Sequence, residues 1–282
     1  MFTEIDMKPL TSKLFILFFL NASWVFGQPM EEDSVFTYLP KDEFKRGEYL
    51  DYKATFGFFT VGKGTFQVQN TLHSINDRIC YKVDAYGKTS GIIDWLASVD
   101  DHWGAYVDTS SLVTHVAYRT LREGRYKKNE VAYFDFNQDS IRVKDFDFEA
   151  GKYKEPKSYS MNDVTRDMFS GFLWMRTLDF SKLNKGDTIT ISSFLEDTFY
   201  NFKVVMYGRE VLKTKAGKFK SIKFIPVMPD NSIFEGEDSI VAWFSDDGNK
   251  IPLKVEAKMF IGHAGIELTG YQNLSRPPGL VY

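Results

Sequence analysis

The sequence predicts a mainly β protein: a large antiparallel curved sheet or half-closed barrel, with one covering α-helix over about residues 162–178. Three observations carry this. Apolar and polar residues alternate with period two in several runs, the pattern of a strand with one dry and one wet face. Turn residues punctuate those runs at hairpin-length gaps, which favours an antiparallel meander. Aromatic residues, 26 Phe, 15 Tyr and 5 Trp in 282, are spread along the chain and suit half-buried pleated surfaces better than helix bundles.

The elements follow in chain order. Lys8 and Lys13 precede the apolar run Leu14–Leu20, which is too short to span a bilayer and is followed by small residues. Residues 1–27 therefore read as a secretory signal peptide cleaved near Gly27, with Val25 and Gly27 as the residues a peptidase reads. Met7 is an alternative start, because Glu4 and Asp6 interrupt the positive first region. No cysteine lies near the cleavage site, so no lipid anchor is expected, and the mature chain carries no apolar run long enough for a transmembrane segment. The expected location is the periplasm of a Gram-negative bacterium. Residues 28–44 begin acidic and irregular, as a flexible leader does. Residues 45–275 are expected to form one β-rich domain, and 276–282 a tail.

Alternation begins at Leu50–Phe56, where Leu50, Tyr52, Ala54 and Phe56 are apolar and Asp51, Lys53 and Thr55 polar. It recurs in Thr65–Gln69 and Tyr81–Ala85, and is clearest in Ile251–Met259, where every odd position is apolar. Turns are expected at Val61–Gly64, Asn76–Arg78, Arg122–Gly124, Asn137–Asp139, Asn184–Asp187, Ala216–Gly217, Asp246–Asn249 and Gly262–Gly265, giving about twelve strands. Pro252 lacks an N–H and is expected on an edge strand or beside a bulge, which would place its hairpin near a sheet margin. Asn162–Leu178 departs from this pattern. Val164, Met168, Phe172 and Met175 recur at helical spacing after a cap at Asn162 or Asp163, and such a helix would cover the open end or face of the sheet. A weaker helical turn is expected at Ser90–Ala97.

The formal charge of −3 and the absence of concentrated basic charge exclude nucleic acid as a partner. Cys80 is the one cysteine, so an exported chain forms no internal disulfide; beside a strand it reads as a buried, inert thiol. Asp246 and Asp247 are adjacent carboxylates, but acid–base pairs in glycoside hydrolysis stand ~5 to 9 Å apart across a substrate, and a Ca²⁺ loop would need Glu where Ala257 stands. They read as turn chemistry. His73, His102, His115 and His263 show no zinc-ligand spacing, so neither metal nor cofactor is expected. Asp100 and His102 share a strand face and are the polar candidates, the alternative being a polar strand edge. Nucleophile motifs are absent, and no catalytic residue is assigned, though a site assembled from distant loops stays open.

Gly47-Glu-Tyr-Leu-Asp-Tyr52, the helix Asp163–Arg176, Thr214–Phe219, Trp243–Lys254 and Ile261–Leu268 together resemble the exported bacterial family catalogued as domain of unknown function 3108, over about residues 44–272. The resemblance implies a β-rich envelope protein and carries no catalytic residues. From the residues themselves, Tyr52 and Phe56 are candidates for an apolar wall, and Trp95, Trp103 and Trp174 for a pocket mouth. The expected function is non-catalytic binding or handling of an amphiphilic, lipid-like envelope molecule, with the helix as a lid. A structural or interaction subunit docking an envelope protein, and a hydrolase acting on envelope polymers, are the alternatives.

Overall fold

The computed structural model describes residues 35–282 apart from 92–93, 96–97, 228–238 and 261. The expected signal peptide and the start of the leader lie outside the described residues. So does part of the second helical turn, of which Asp94 and Trp95 are helical.

A first meander comprises β1 (Tyr49–Phe56), β2 (Phe59–Ile75), β3 (Arg78–Thr89), β4 (Asp100–Asp108), β5 (Thr114–Glu123), β6 (Tyr126–Asp135) and β7 (Ser140–Asp147). Two short strands, β8 (Lys152–Tyr153) and β9 (Lys157–Ser160), both pair with β7. A second meander comprises β10 (Thr188–Leu195), β11 (Thr198–Thr214), β12 (Gly217–Pro226), β13 (Ile240–Ser245), β14 (Pro252–Met259) and β15 (Gly262–Gln272). Antiparallel pairing of β15 with β1 joins them into one sheet of 15 strands, in the order β10 to β15, then β1 to β8. Fifteen exceeds the expected twelve or so partly because the short β8 and β9 carry no readable alternation. The dry faces are those the periodicity marks: Ile251, Leu253, Val255, Ala257 and Met259 are all buried.

Two expected turns are not reversals. Gly62 and Gly64 lie inside β2, and Gly265 lies inside β15; the chain reverses instead at Gly57–Phe58 and at Phe260. A Cβ on Gly62 would collide with the Lys88 carbonyl, and one on Gly265 would stand 3.1 Å from the Val255 oxygen. These glycines permit close strand approach. The hairpin of Pro252 is also not at a margin, because β14 pairs with β13 and β15 on its two sides. Pro252 is tolerated there by a register slip between Trp243 and Phe244.

The helix α1 (Met168–Thr177) starts later than its sequence pattern suggests. Its cap is Asp167, whose carboxylate accepts from the N–H groups of Phe169 and Ser170 and from the Thr114 hydroxyl at 2.7 Å. Residues before it run extended beside β10, where the Arg166 N–H donates to Ser192 O and Phe194 N–H donates to Arg166 O. None of the ten helical residues is exposed, so α1 is a buried plug more than an amphipathic surface lid. It meets strands from both arms of the order: Gly171 packs on Ile191 of β10, and Ser170 bonds Thr114 of β5. The sheet therefore curls around it. The ladder stays open, and its two sides meet through side chains, Arg119 to Glu196 at 2.8 Å and Phe194 against Phe134 and Tyr159.

Arg176, near the helix C-terminus, is fully buried. Its guanidinium grips both carboxylate oxygens of Glu48 at 2.6 and 2.9 Å and donates to the carbonyls of Asn249 and Glu43, each at 2.9 Å. Phe44 and Phe172 flank it. Residues 35–44, the described part of the expected leader, lie against the sheet, with Phe44 in the core and Leu39 N–H bonded to Ser110 O. The tail is tied as well, Leu280 bridging to Phe219.

Removing one member of this pair leaves a buried charge unmatched. Arg176→Met and Glu48→Gln are each expected to lower the unfolding free energy by about 3–5 kcal/mol. The double variant Arg176→Met/Glu48→Gln is expected to lose less than the sum of the single losses. Urea unfolding measures all three, and single-variant losses under about 1 kcal/mol would show that the pair does not seat the helix.

Candidate functional site

An apolar cavity of about 180 Å³ lies between α1 and strands β13, β14, β15, β1, β2 and β3. It exists because neighbouring inward positions are small. Ala54, Gly64, Ala85, Ala257 and Ala264 line it, with the backbone of Gly265, and pairing brings Ala257 opposite Ala264 and Ala54 opposite Ile266. Larger residues enclose this floor: Tyr52, Phe66, Phe244 and Ile266 from the sheet, and Met168, Phe169 and Phe172 from the helix. Phe172 bridges the meanders, its ring 5.2 Å from Phe66 and 6.2 Å from Phe244. The Tyr52 hydroxyl donates to Pro252 O at 3.0 Å, so its polar tip is satisfied within the wall. A largely apolar cavity of this order admits a benzene-sized group, whereas whole drug-sized ligands need roughly 300–1,000 Å³.

Of the residues expected to shape a pocket, Tyr52 lines the cavity. Phe56 stands just beyond it, against Gly262. Trp103 is buried opposite Ala85 under the Arg119 guanidinium, and Trp174 is half-buried with Arg166 over its ring. Trp95 is 85% exposed. Asp100 and His102 point to the outer face but do not bond each other. Asp100 pairs with Lys88, while His102 Nε2 lies 2.7 Å from Asp84 Oδ1 and its ring stacks on Tyr86. Burial alone would push the Asp84 carboxyl up; hydrogen bonds from His102, Tyr118 and Gln69 outweigh it and hold the group below the usual range. Among the described residues no Ser, Thr or Cys side chain bonds His102, and no group of acidic, His or Cys side chains is arranged to hold a metal. Asp246 and Asp247 serve the turn: Asp247 accepts from Ser245, Asn249, Lys250 and Gly279, and Asp246 pairs with Arg209. The helix is expected as a lid, but sequence reasoning does not assign Met168, Phe169 and Phe172 to the pocket, although Ala54, Ala85 and Ala257 stand on recognised dry faces and mark where space is left.

Comparison with known proteins places this architecture. The family model described as a protein of unknown function, DUF3108, matches residues 51–269. The chain belongs to this family. Among solved structures, the DUF3108 chain is similar to a β-barrel-like protein of domain of unknown function DUF1849 from Brucella abortus, with a TM-score of 0.52 and 10% identity, covering 82% of this chain and 99% of that one. That likeness shows the fold alone. Weaker matches are a hypothetical protein, CT021, from Chlamydia trachomatis (TM-score 0.33, 11% identity, 84% and 93% covered) and a protein of Bacteroides fragilis described as exported, with a YmcC-like fold (TM-score 0.29, 10% identity, 84% and 99% covered). No curated protein matches. No helix among the described residues is long and apolar enough to cross a membrane.

Beyond Ala85 and Trp103 the inward face of the DUF3108 chain turns polar. Asp101 is buried, its Oδ1 accepting from the Arg122 N–H at 3.0 Å. Burial pushes its carboxyl up to about 7, partly offset by that N–H and reinforced by neighbouring Glu123. A carboxyl raised in the folded state contributes stability that is full below its unfolded value, near 3.8, and is lost as pH rises through about 7. Asp101→Asn abolishes this titration, so its stability relative to the parent is expected to increase as pH rises from 4 to 7 and then level off. Urea unfolding across that range checks it, and a pH-independent difference would contradict it.

Proposed function

We propose that this is an exported, non-catalytic envelope protein that holds the apolar end of an amphiphilic molecule inside its curled sheet, in the periplasm of a Gram-negative bacterium. The observation carrying this reading is the apolar cavity roofed by Met168, Phe169 and Phe172 over a floor of Ala and Gly. Its size suits one acyl segment, leaving the polar head outside. Methionine at the roof adapts to chains of different shape. The apolar run Leu14–Leu20 behind two lysines supports export. Cys80 is compatible with an oxidising compartment, because burial pushes its thiol up to about 12 and keeps it protonated and inert.

Filling the floor tests this directly. Ala257→Phe is expected to weaken binding of cis-parinaric acid, a fluorescent acyl probe, at least about tenfold, while circular dichroism stays that of the parent. Mass spectrometry of organic extracts from protein purified out of its native envelope is expected to find an acyl-bearing molecule with the parent and to find it depleted with the variant. Equal probe affinity in parent and filled protein would sink the reading.

A further inference from the structure

The sheet pairing brings three chain reversals to one end. The β14–β15, β1–β2 and β3–β4 connections are neighbours there, because β14, β15, β1, β2, β3 and β4 are consecutive in the sheet. Each presents a bare aromatic ring. Phe58 is fully exposed and Phe59 73% exposed at the β1–β2 reversal, Phe260 is 66% exposed at the β14–β15 reversal, and Trp95 stands out from the β3–β4 connection. The backbone holds these reversals together: Gly57 N–H donates to His263 O, and Ser90 N–H donates to Val61 O. An isolated exposed ring is ordinary, but large rings on three adjoining tips form an apolar crown that water disfavours.

We propose that this crown seats the protein on the surface of a lipid bilayer. Three observations favour a bilayer over a folded partner. The exposed rings are distributed over three separate connections, an arrangement that suits a fluid interface better than one flat docking face. Behind them stand Lys63 and Lys258, exposed on the outer face and without an ion pair among the described residues, positioned to meet anionic headgroups. The same end of the curl contains the cavity. Ala54, Ala257 and Ala264 are each about three residues from a tip, roughly 10 Å along a strand. Rings sunk in the interface would bring the cavity within reach of acyl chains. This last step rests on the proposed acyl-binding function; the seating does not.

The test is flotation of the mature chain with vesicles of phosphatidylcholine mixed with phosphatidylglycerol, and with phosphatidylcholine alone. The parent is expected to float with the mixed vesicles. Phe58→Ser/Phe260→Ser is expected to lower the partition coefficient at least about tenfold. Lys63→Glu/Lys258→Glu is expected to abolish the preference for the anionic vesicles. Phe58 is fully exposed, so Phe58→Ser alone is expected to leave the urea midpoint unmoved and to weaken flotation on its own. Parent protein that does not float, or serine variants that float equally, would overturn the proposal. So would sedimentation showing parent dimers that the serine variants dissolve without any change at vesicles, since the crown would then join two copies. Failed flotation with intact cis-parinaric acid binding removes the seating alone; the converse removes acyl binding alone.

Discussion

The helix and the segments that seat it are arranged around a buried guanidinium. Taking Arg176 out of water costs several kcal/mol, and the cost is offset only when its acceptors are all present in good geometry. Those acceptors come from three remote places: the Glu43 carbonyl before the sheet, the Glu48 carboxylate at the mouth of β1, and the Asn249 carbonyl in the β13–β14 turn. The two-pronged contact with Glu48 fixes orientation as well as distance, which a lysine could not do. The turn is in turn braced from behind, because the Asn249 side chain exchanges hydrogen bonds with the backbone of Arg276, and Asp247 collects the N–H of Gly279. Helix, turn and terminal segments are thus tied into one polar unit, buried at Arg176 and Glu48 and reaching the surface at Arg276.

That unit decides where the helix lies, and the helix decides what space remains. Held at one end by Arg176 and at the other by the Asp167 cap with its Thr114 partner, α1 cannot settle onto the alanine and glycine floor. Two fixed ends over a shallow floor leave a void, where a freely packing helix would close it. The curl needs no continuous ladder to keep this geometry. Arg119 with Glu196, Lys157 with Asp197, and Phe194 between Phe134 and Tyr159 hold the sides together, and the facing strand edges are kept from other chains.

Much of the sheet was legible because period-two alternation reports burial directly. Ile251 to Met259 alternates without a break and is buried at every odd residue. Glycine was ambiguous: at Gly57 it reverses the chain, while at Gly62 it lets strands approach, and only the neighbouring strand separates the two. The sequence pattern caps the helix at Asn162 or Asp163; Thr114, more than fifty residues from Asp167, helps fix Asp167 as the cap instead. His102 and Asp84 meet through the β3–β4 register, which no spacing rule reveals. The cavity lies at the limit of legibility. Ala54, Ala85 and Ala257 stand on faces recognised as dry, whereas Gly64, Ala264 and Gly265 read as turn residues, and their adjacency arises from the joining of the two meanders.

The pairing of β15 with β1 has a temporal meaning. Tyr49 lies opposite Gln272, so the strand completing the sheet is the last one made. Each meander can zip from local hairpins, but neither encloses its dry face until the other arrives, and closing a loop this long costs on the order of 5 kcal/mol in chain entropy. Such non-local pairing is slow, and a chain emerging from its N-terminus holds β1 with one edge open until nearly every residue is free. The topology thus acts as its own timer: closure of the sheet waits for β15, the last of its fifteen strands in chain order.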